Sequence, residues 1–358
     1  TGDYPTIQAA IDAAEEGDTV AVALDSQAYA ENLSISKGIT LSGGWNITFT
    51  QQYPGESVID GQRLGRVISI TCPSSDTVVT IDGFGIINGD ASGMGVPVAP
   101  AVPASLELPY SSQTAPAARD ADTRSPAERA AHLRAGLSDL AARGEYPGGE
   151  SAYQAMIARL ERLTVRAQEA QTHAHVSPGV GPDQPLQGAG SGGGIYSYNA
   201  SLEVRNCWFQ SNVASQDGTG LGGGIYVAQA PPGGVYIASN SIAGSVAVAN
   251  GMGQGGGLHV SQAPGATIGG NALEGNVASY QGNGYGGGIY VTQSPGAYIQ
   301  DNELYENLGS NAGVASEGYG GGVAVVSSPG VLVRNNQAER NYASASWHGA
   351  LGAGGGLY

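Results

Sequence analysis

The chain has 358 residues, with 14 basic and 30 acidic side chains and a net charge of −16. That balance disfavours indiscriminate nucleic-acid binding, and no apolar run reaches the length of a membrane-spanning helix. Glycine supplies 59 residues without a collagen period, so its excess needs another backbone explanation.

Residues 4–16, YPTIQAAIDAAEE, put Ile7, Ala10, Ile11 and Ala14 on one helical face, with Pro5 near the start. A helix here is expected to cap the open end of a stack of strands. Thr1 is not a native start, which is compatible with removal of a secretory leader. Gly17-Asp18 turns the chain into a strand, and further short strands are predicted at 33–35, 39–41, 58–60, 67–70 and 78–81. Asp60-Gly61 and Asp82-Gly83 lie 22 residues apart, a plausible minimal coil. The two aspartates could form a glycosidase-like pair, but each precedes glycine, and a turn role is simpler.

At Ala91 the pattern stops. Residues 91–124 read as an Ala/Pro/Ser-rich linker, followed by predicted helices over 125–143 and 151–171 and a return to Pro and Gly through 187. Residues 91–187 are therefore expected to be an insertion carrying an α-helical hairpin, between 1–90 and 188–358. It holds eight arginines against ten carboxylates, so the remainder of the chain carries −14. The insertion packs back on the rest, covers a groove, meets another protein, or is a tolerated surface addition; the sequence leaves these open. His173 and His175 have the spacing of a metal pair on a strand, but no third ligand follows at a diagnostic distance, and solvent-exposed linker histidines are the simpler reading. His132 reads as a helix-surface residue.

From Gly192 one phrase occurs six times: GGGIY, GGGIY, GGGLH, GGGIY, GGGVA and GGGLY, at spacings of 30, 33, 31, 34 and 34 residues. A second phrase recurs between the copies: FQSN at 209–212, IAGS at 242–245, LEGN at 273–276, LYEN at 304–307 and AERN at 338–341. Two phrases in fixed order at one period define a repeat protein. Each repeat reads as three short strands and a Gly/Ser/Asn-rich loop, one coil of a parallel β-helix. No LxxLxLxxN, GGxGxD or Trp-Asp signature supports a leucine-rich, calcium-nonapeptide or propeller repeat. Alternation predicts one inward column of Ile195, Ile225, Leu258, Ile289, Val323 and Leu357, and a second of Val204, Ile237, Ile268, Ile299 and Val333. Asn206, Asn240, Asn271, Asn302 and Asn336 should form an amide ladder at a turn.

The same alternation turns two columns outward: Tyr196, Tyr226, His259, Tyr290, Ala324 and Tyr358, and then Glu203, Tyr236, Thr267, Tyr298 and Leu332. Tyrosine joins a flat apolar ring to a polar hydroxyl. Tyr196, Tyr226, His259, Tyr290, Tyr236 and Tyr298 are therefore the ligand-binding candidates, for a linear glycan or an extended protein. Packing between coils is the competing role of the same rings. Cys72 and Cys207 are either a disulfide across neighbouring coils or two free thiols.

The paired GGGIY and FQSN or LYEN phrases resemble the GG-[AIL] and FxxN repeats of the chlamydial polymorphic outer-membrane proteins. More broadly they resemble the right-handed parallel β-helix, or pectate-lyase-like, superfamily. The opening YPTIQAAIDAAEEGDTVAV looks like the N-terminal cap of many extracellular members. The resemblance covers roughly 1–90 and 188–358 and implies an all-β solenoid, a right-handed parallel β-helix with an N-terminal capping helix; the inserted α-helical hairpin has no counterpart in it. It also implies a secreted or surface-exposed protein, either an adhesin or an enzyme acting on acidic polysaccharides. No calcium-dependent lyase cluster is apparent around Arg63, Arg66, Arg205, Arg334 or Arg340, and the polygalacturonase set of NTD, DD, HG and RIK motifs is absent, His348-Gly349 being an isolated HG. There is no GxSxG, HExxH, P-loop or dinucleotide phrase. No catalytic residue, metal or cofactor is expected. The expected function is a noncatalytic extracellular or cell-surface β-helix, a binding or structural scaffold whose partner is a glycan or a cell-envelope protein. The alternative is a carbohydrate-active enzyme such as a polysaccharide lyase or glycoside hydrolase.

Overall fold

The computed structural model describes residues 4–95, 189–311, 316–344 and 351–358. The chain divides into two compact units, one formed by 1–100 with 186–358 and the other by 101–185. The expected helical hairpin, His132, His173, His175 and His348 lie outside the described residues.

Short β-branched segments broken by glycine and asparagine cannot pair with their sequence neighbours, so they pair with their counterparts one coil on. The result is four parallel sheets. The first sheet contains Leu33–Ile35 and Ile68–Thr71, and then the strands after the glycine triplets, Ile195–Tyr198, Ile225–Ala228, Leu258–Ser261, Ile289–Thr292 and Val323–Val326. The second runs from Thr19–Ala23 through Ser201–Arg205, Val235–Ala238, Thr267–Gly269 and Tyr298–Gln300 to Leu332–Arg334. The third runs from Ser57–Asp60 to Gln337–Glu339.

The fourth sheet is where sequence and structure part. The stretch read as a loop is a strand, as in Val213–Leu221 and Val246–Gln254, and in the pairs Val277–Gln281 with Gly284–Tyr285 and Leu308–Ser310 with Glu317–Tyr319. Each coil runs outward along the first half of this element and returns along the second, and each half pairs in parallel with the same half of the next coil. A coil thus has four strand positions, not three.

The inward columns fill the core. Ile195, Ile225, Leu258 and Ile289 are fully buried, as are Val204, Ile237, Ile268 and Ile299, while terminal Leu357 is exposed. Phe209, Ile242, Leu273 and Leu304 supply a third column, from the second repeated phrase. At the N-terminus the helix Ile7–Ala13 places Ile7 and Ile11 in the same core. Glu31 accepts hydrogen bonds from the backbone N–H groups of Ile7 and Gln8, and Lys37 donates to the carbonyls of Asp12 and Ala14. A carboxylate at the helix N-terminus and an ammonium at its C-terminus complement its dipole.

Asparagine ladders hold two corners. Asn271 Nδ2 donates to Asn302 Oδ1 at 3.0 Å and to the Ile237 carbonyl at 2.9 Å, and Asn240 and Asn302 repeat the pattern. The ladder does not begin at Asn206. Cys207 holds that place, donating its N–H to Asn240 Oδ1, while Asn206 occupies the preceding left-handed position at φ 53° and donates to Asp82. A second ladder, at the end of the FQSN-type phrase, joins Asn276, Asn307 and Asn341, with Asn212 one coil beyond the interruption at Ser245. Buried amides that satisfy one another from coil to coil fix the register that apolar stacking alone leaves loose.

The glycine triplet has a steric cause. Gly222 turns the chain at φ +62°, and a Cβ on Gly223 would lie 2.5 Å from the backbone N and C of Val246, which opens the fourth-sheet strand of the same coil. The fourth sheet reaches the first only because no side chain stands between them. Cys72 and Cys207 are both buried and are not joined in a disulfide, and they sit at different corners of the coil.

Candidate functional site

The two outward columns fare differently in the structure. In the first sheet, Tyr196, Tyr226, His259 and Tyr290 occupy one register, each facing away from the core. They do not face solvent. Tyr226 and His259 are 2% exposed and Tyr290 is 0% exposed. The return half of the fourth sheet lies over them. Leu221 clusters with Tyr226, and Tyr285 packs its ring 6.1 Å from that of Tyr290. Tyr196 stacks on Tyr226 at 5.6 Å, and His259 meets Tyr226 and Tyr290 edge-on at 5.1 and 4.9 Å. This is a second, aromatic core, and the expectation that Tyr226, His259 and Tyr290 form an open binding face is corrected. Tyr196 is half-buried under the guanidinium of Arg66, 4.1 Å from the ring centroid.

Burial sets the protonation of this column. It pushes the Tyr290 phenol up to about 12 and raises that of Tyr226 further. His259 is pushed down to about 3 by burial, with the Gln254 backbone opposing weakly, and neither ring nitrogen makes a well-directed hydrogen bond. His259 is neutral at physiological pH and is no proton carrier there.

The second sheet is open. Glu203, Tyr236, Thr267, Tyr298 and Leu332 stand in one register on its outer surface. Tyr236 is 46% exposed and Tyr298 43%, and neither hydroxyl has a hydrogen-bond partner among the described residues. The column beside it reads Asp82, Arg205, Ala238, Gly269, Gln300 and Arg334. Its centre is a methyl group and a glycine, so the tyrosines border a low floor. The upper end of that floor is a depression lined by Glu203, Arg205, Asn206, Tyr236, Ala238 and Ser239.

Arg205 closes that end, in a charged constellation that the sequence alone does not reveal. Its Nη1 lies 2.6 Å from Glu203 and its Nε 3.3 Å from Asp82. Burial is the largest single influence and works against the guanidinium's charge, but the hydrogen bonds and charges of Asp82 and Glu203 together outweigh it and hold its pKa above the ordinary value. Asp82 also accepts from Asn206, and Thr80 donates to Glu203. Asp82 and Arg205 are 123 positions apart in sequence, yet they are partners in register. The insertion between them hides that pairing from the linear chain. Asp60 does not join Asp82: it ends a strand of the third sheet, where it accepts from the Gln62 N–H and from Asn88. Both aspartates fasten corners, as their glycine neighbours suggested.

No helix among the described residues is long and apolar enough to cross a membrane, and no group of three or more His, Cys, Asp or Glu among them could hold a metal ion. No curated protein and no solved structure matches the chain. The family model described as the right handed beta helix region matches residues 193–354. That stretch holds the glycine triplets and the asparagine ladders, and with its parallel coils the protein is a right-handed parallel β-helix.

Proposed function

We propose that the protein is a noncatalytic extracellular or cell-surface β-helix that presents the outer surface of its second sheet to an extended partner, a glycan or a cell-envelope protein. One observation carries this: Tyr236 and Tyr298 stand exposed in one register with free hydroxyls, whereas the comparable rings of the first sheet are packed away. Exposed, aligned aromatic rings beside polar side chains are a recognition surface. The extracellular placement rests on the resemblance of the N-terminal cap to those of secreted β-helices.

Asp82, Glu203 and Arg205 favour a second reading, a carbohydrate-active enzyme with an acid, a base and a cation at the end of the stripe. Against it, one guanidinium bridges both carboxylates, so each is already engaged within the sheet. Incubation with a panel of oligosaccharides and with cell envelopes separates the two, by measuring retention and product release together. Retention without shortened or unsaturated products, weakened in Tyr236→Ser/Tyr298→Ser, is expected. Product formation abolished in Glu203→Gln would establish the enzyme instead.

A further inference from the structure

We infer that the ligand of the second sheet is a neutral, β-1,4-linked glycan lying along the axis of the coils, with alternate sugar rings stacked on Tyr236 and Tyr298. This rests on the reading of that sheet as the recognition surface, and it names the ligand from spacing and charge.

The spacing comes from the register. Tyr236 pairs with Thr267, and Thr267 with Tyr298. The two rings are therefore two rungs apart, about 9.6 Å at the usual separation of paired strands. That matches the length of a disaccharide unit in an extended β-1,4-linked chain, in which every second sugar presents the same face. Thr267 stands between the rings and places a hydroxyl opposite the intervening sugar. The floor beside them is Ala238 and Gly269, which leaves a chain room to lie against the sheet. An α-1,4-linked glucan curves away from such a line and reaches only one ring.

The charge comes from the cluster at the end of the stripe. Arg205 stands on the rung next to Tyr236, and it is already engaged by Glu203 and Asp82, which leaves that cluster with one net negative charge. Outside the insertion the chain carries −14. A polyanionic glycan meets repulsion here, whereas sugar hydroxyls can donate to the carboxylates and accept from the guanidinium.

Affinity electrophoresis and calorimetry with cellohexaose, β-1,4-mannohexaose and chitohexaose test this, beside maltohexaose and oligogalacturonate as the curved and acidic comparisons and whole envelope extract as the protein source. A neutral β-1,4 hexaose should bind, and Tyr236→Ser or Tyr298→Ser should weaken it at least about tenfold at an unchanged melting temperature. The decisive variant is Thr267→Tyr/Tyr298→Ser, which keeps two rings but places them one rung apart; it should bind no better than Tyr298→Ser. Rescue by that variant, or equal binding of maltohexaose, would overturn the spacing argument. Binding only of oligogalacturonate or of an envelope protein, lost in the tyrosine variants, would overturn the neutral-glycan inference while leaving the sheet as the recognition surface. Binding of any of these probes that is indifferent to both tyrosines, or binding of none, would remove both.

Discussion

Tyr290 and Tyr298 are eight residues apart in the chain, belong to consecutive strands of one coil, and both point away from the core. One is fully buried and the other 43% exposed. Strand alternation alone does not distinguish them, because the difference lies outside both strands. The fourth sheet goes out and comes back, and its return half covers the first sheet and leaves the second bare. An outward position in a β-helix is therefore open only when the neighbouring corner does not send a segment over it. The same residue type is cement in one column and surface in the next.

Stability measurements put that distinction at risk. Tyr290→Ser removes a ring from a packed column and should cost about 3–5 kcal/mol, the range for deleting a buried aromatic side chain. Chemical denaturation should show the midpoint falling with the slope retained. A loss below about 1 kcal/mol would mean that the covering segment does not pack on the ring.

A smaller effect of the opposite chemical kind is expected at His259, in the same covered column. Its folded pKa is pushed down to about 3, against an ordinary 6.5. Because the unfolded chain takes up the proton first, the contribution is full above pH 6.5 and is lost as pH falls toward 3. At pH 4 the deficit is about 3 kcal/mol for a shift of this size. Tyr226, Tyr290 and Gln254 surround the ring; none carries a negative charge, and the Gln254 backbone, which favours the imidazolium, does not offset the burial. His259→Phe should therefore flatten the acid limb of the stability curve relative to the parent, after subtraction of the carboxylate contribution common to both. Parallel curves between pH 6.5 and 4 would place His259 in contact with water.

Why the sequence yielded one half of this picture and not the other is a matter of periodicity. Three strand positions announce themselves by alternation or by the glycine triplet, and the burial of Ile289 and Ile299 follows from them, whereas the column of Leu304 emerges only from the structure. The fourth does not alternate. Val213-Ala214-Ser215, Val246-Ala247-Val248 and Val277-Ala278-Ser279 are buried on both faces, so period two is absent. The available signal was recurrence: a large apolar residue, a small one and then Ser or Val come after the second repeated phrase in every repeat, continuing as Leu308-Gly309-Ser310 and Tyr342-Ala343-Ser344. The slip from Cys207 to Asn206 has a similar origin. Residue type suggested asparagine, but a ladder position is fixed by its distance from the next strand, and Cys207 directly precedes the strand Trp208–Gln210. The cluster of Asp82, Glu203 and Arg205 was hidden by the insertion, which separates residues that the fold places on adjacent rungs.

The insertion offers a third test of the two columns, because it leaves the β-helix beside the head of the covered one. Gly95 donates its N–H to the Ala189 carbonyl at 2.9 Å, so the ends flanking 96–188 are already adjacent. Arg66 lies over Tyr196 and donates to the carbonyls of Ser191 and Gly95. Replacing 96–188 by a short Gly/Ser link should change β-helix stability by no more than about 1–2 kcal/mol, since joining neighbouring ends costs little closure entropy. Loss of the cooperative transition would make the removed segment part of the fold. If the transition survives but Tyr226 becomes open to nitration, the segment would be part of the cover.

The smallest expected effect lies in the exposed column. Tyr236→Ser and Tyr298→Ser should each cost about 0.5–1 kcal/mol, the scale of a cross-strand pair on an open surface. Thr267 separates the two rings, so neither stacks on the other. Their hydroxyls engage no partner among the described residues, so no buried polar group is orphaned by their removal. Tetranitromethane gives an independent reading: Tyr236 and Tyr298 should react in the native protein, and Tyr226 and Tyr290 only on unfolding, because they are covered and because burial holds their phenols protonated. Early modification of Tyr290, or a cost at Tyr298 approaching that at Tyr290, would erase the distinction between the columns. Fold stability leaves the exposed rings dispensable, and that is why a ligand titration on them can be read without the ambiguity that attends any substitution in the covered column.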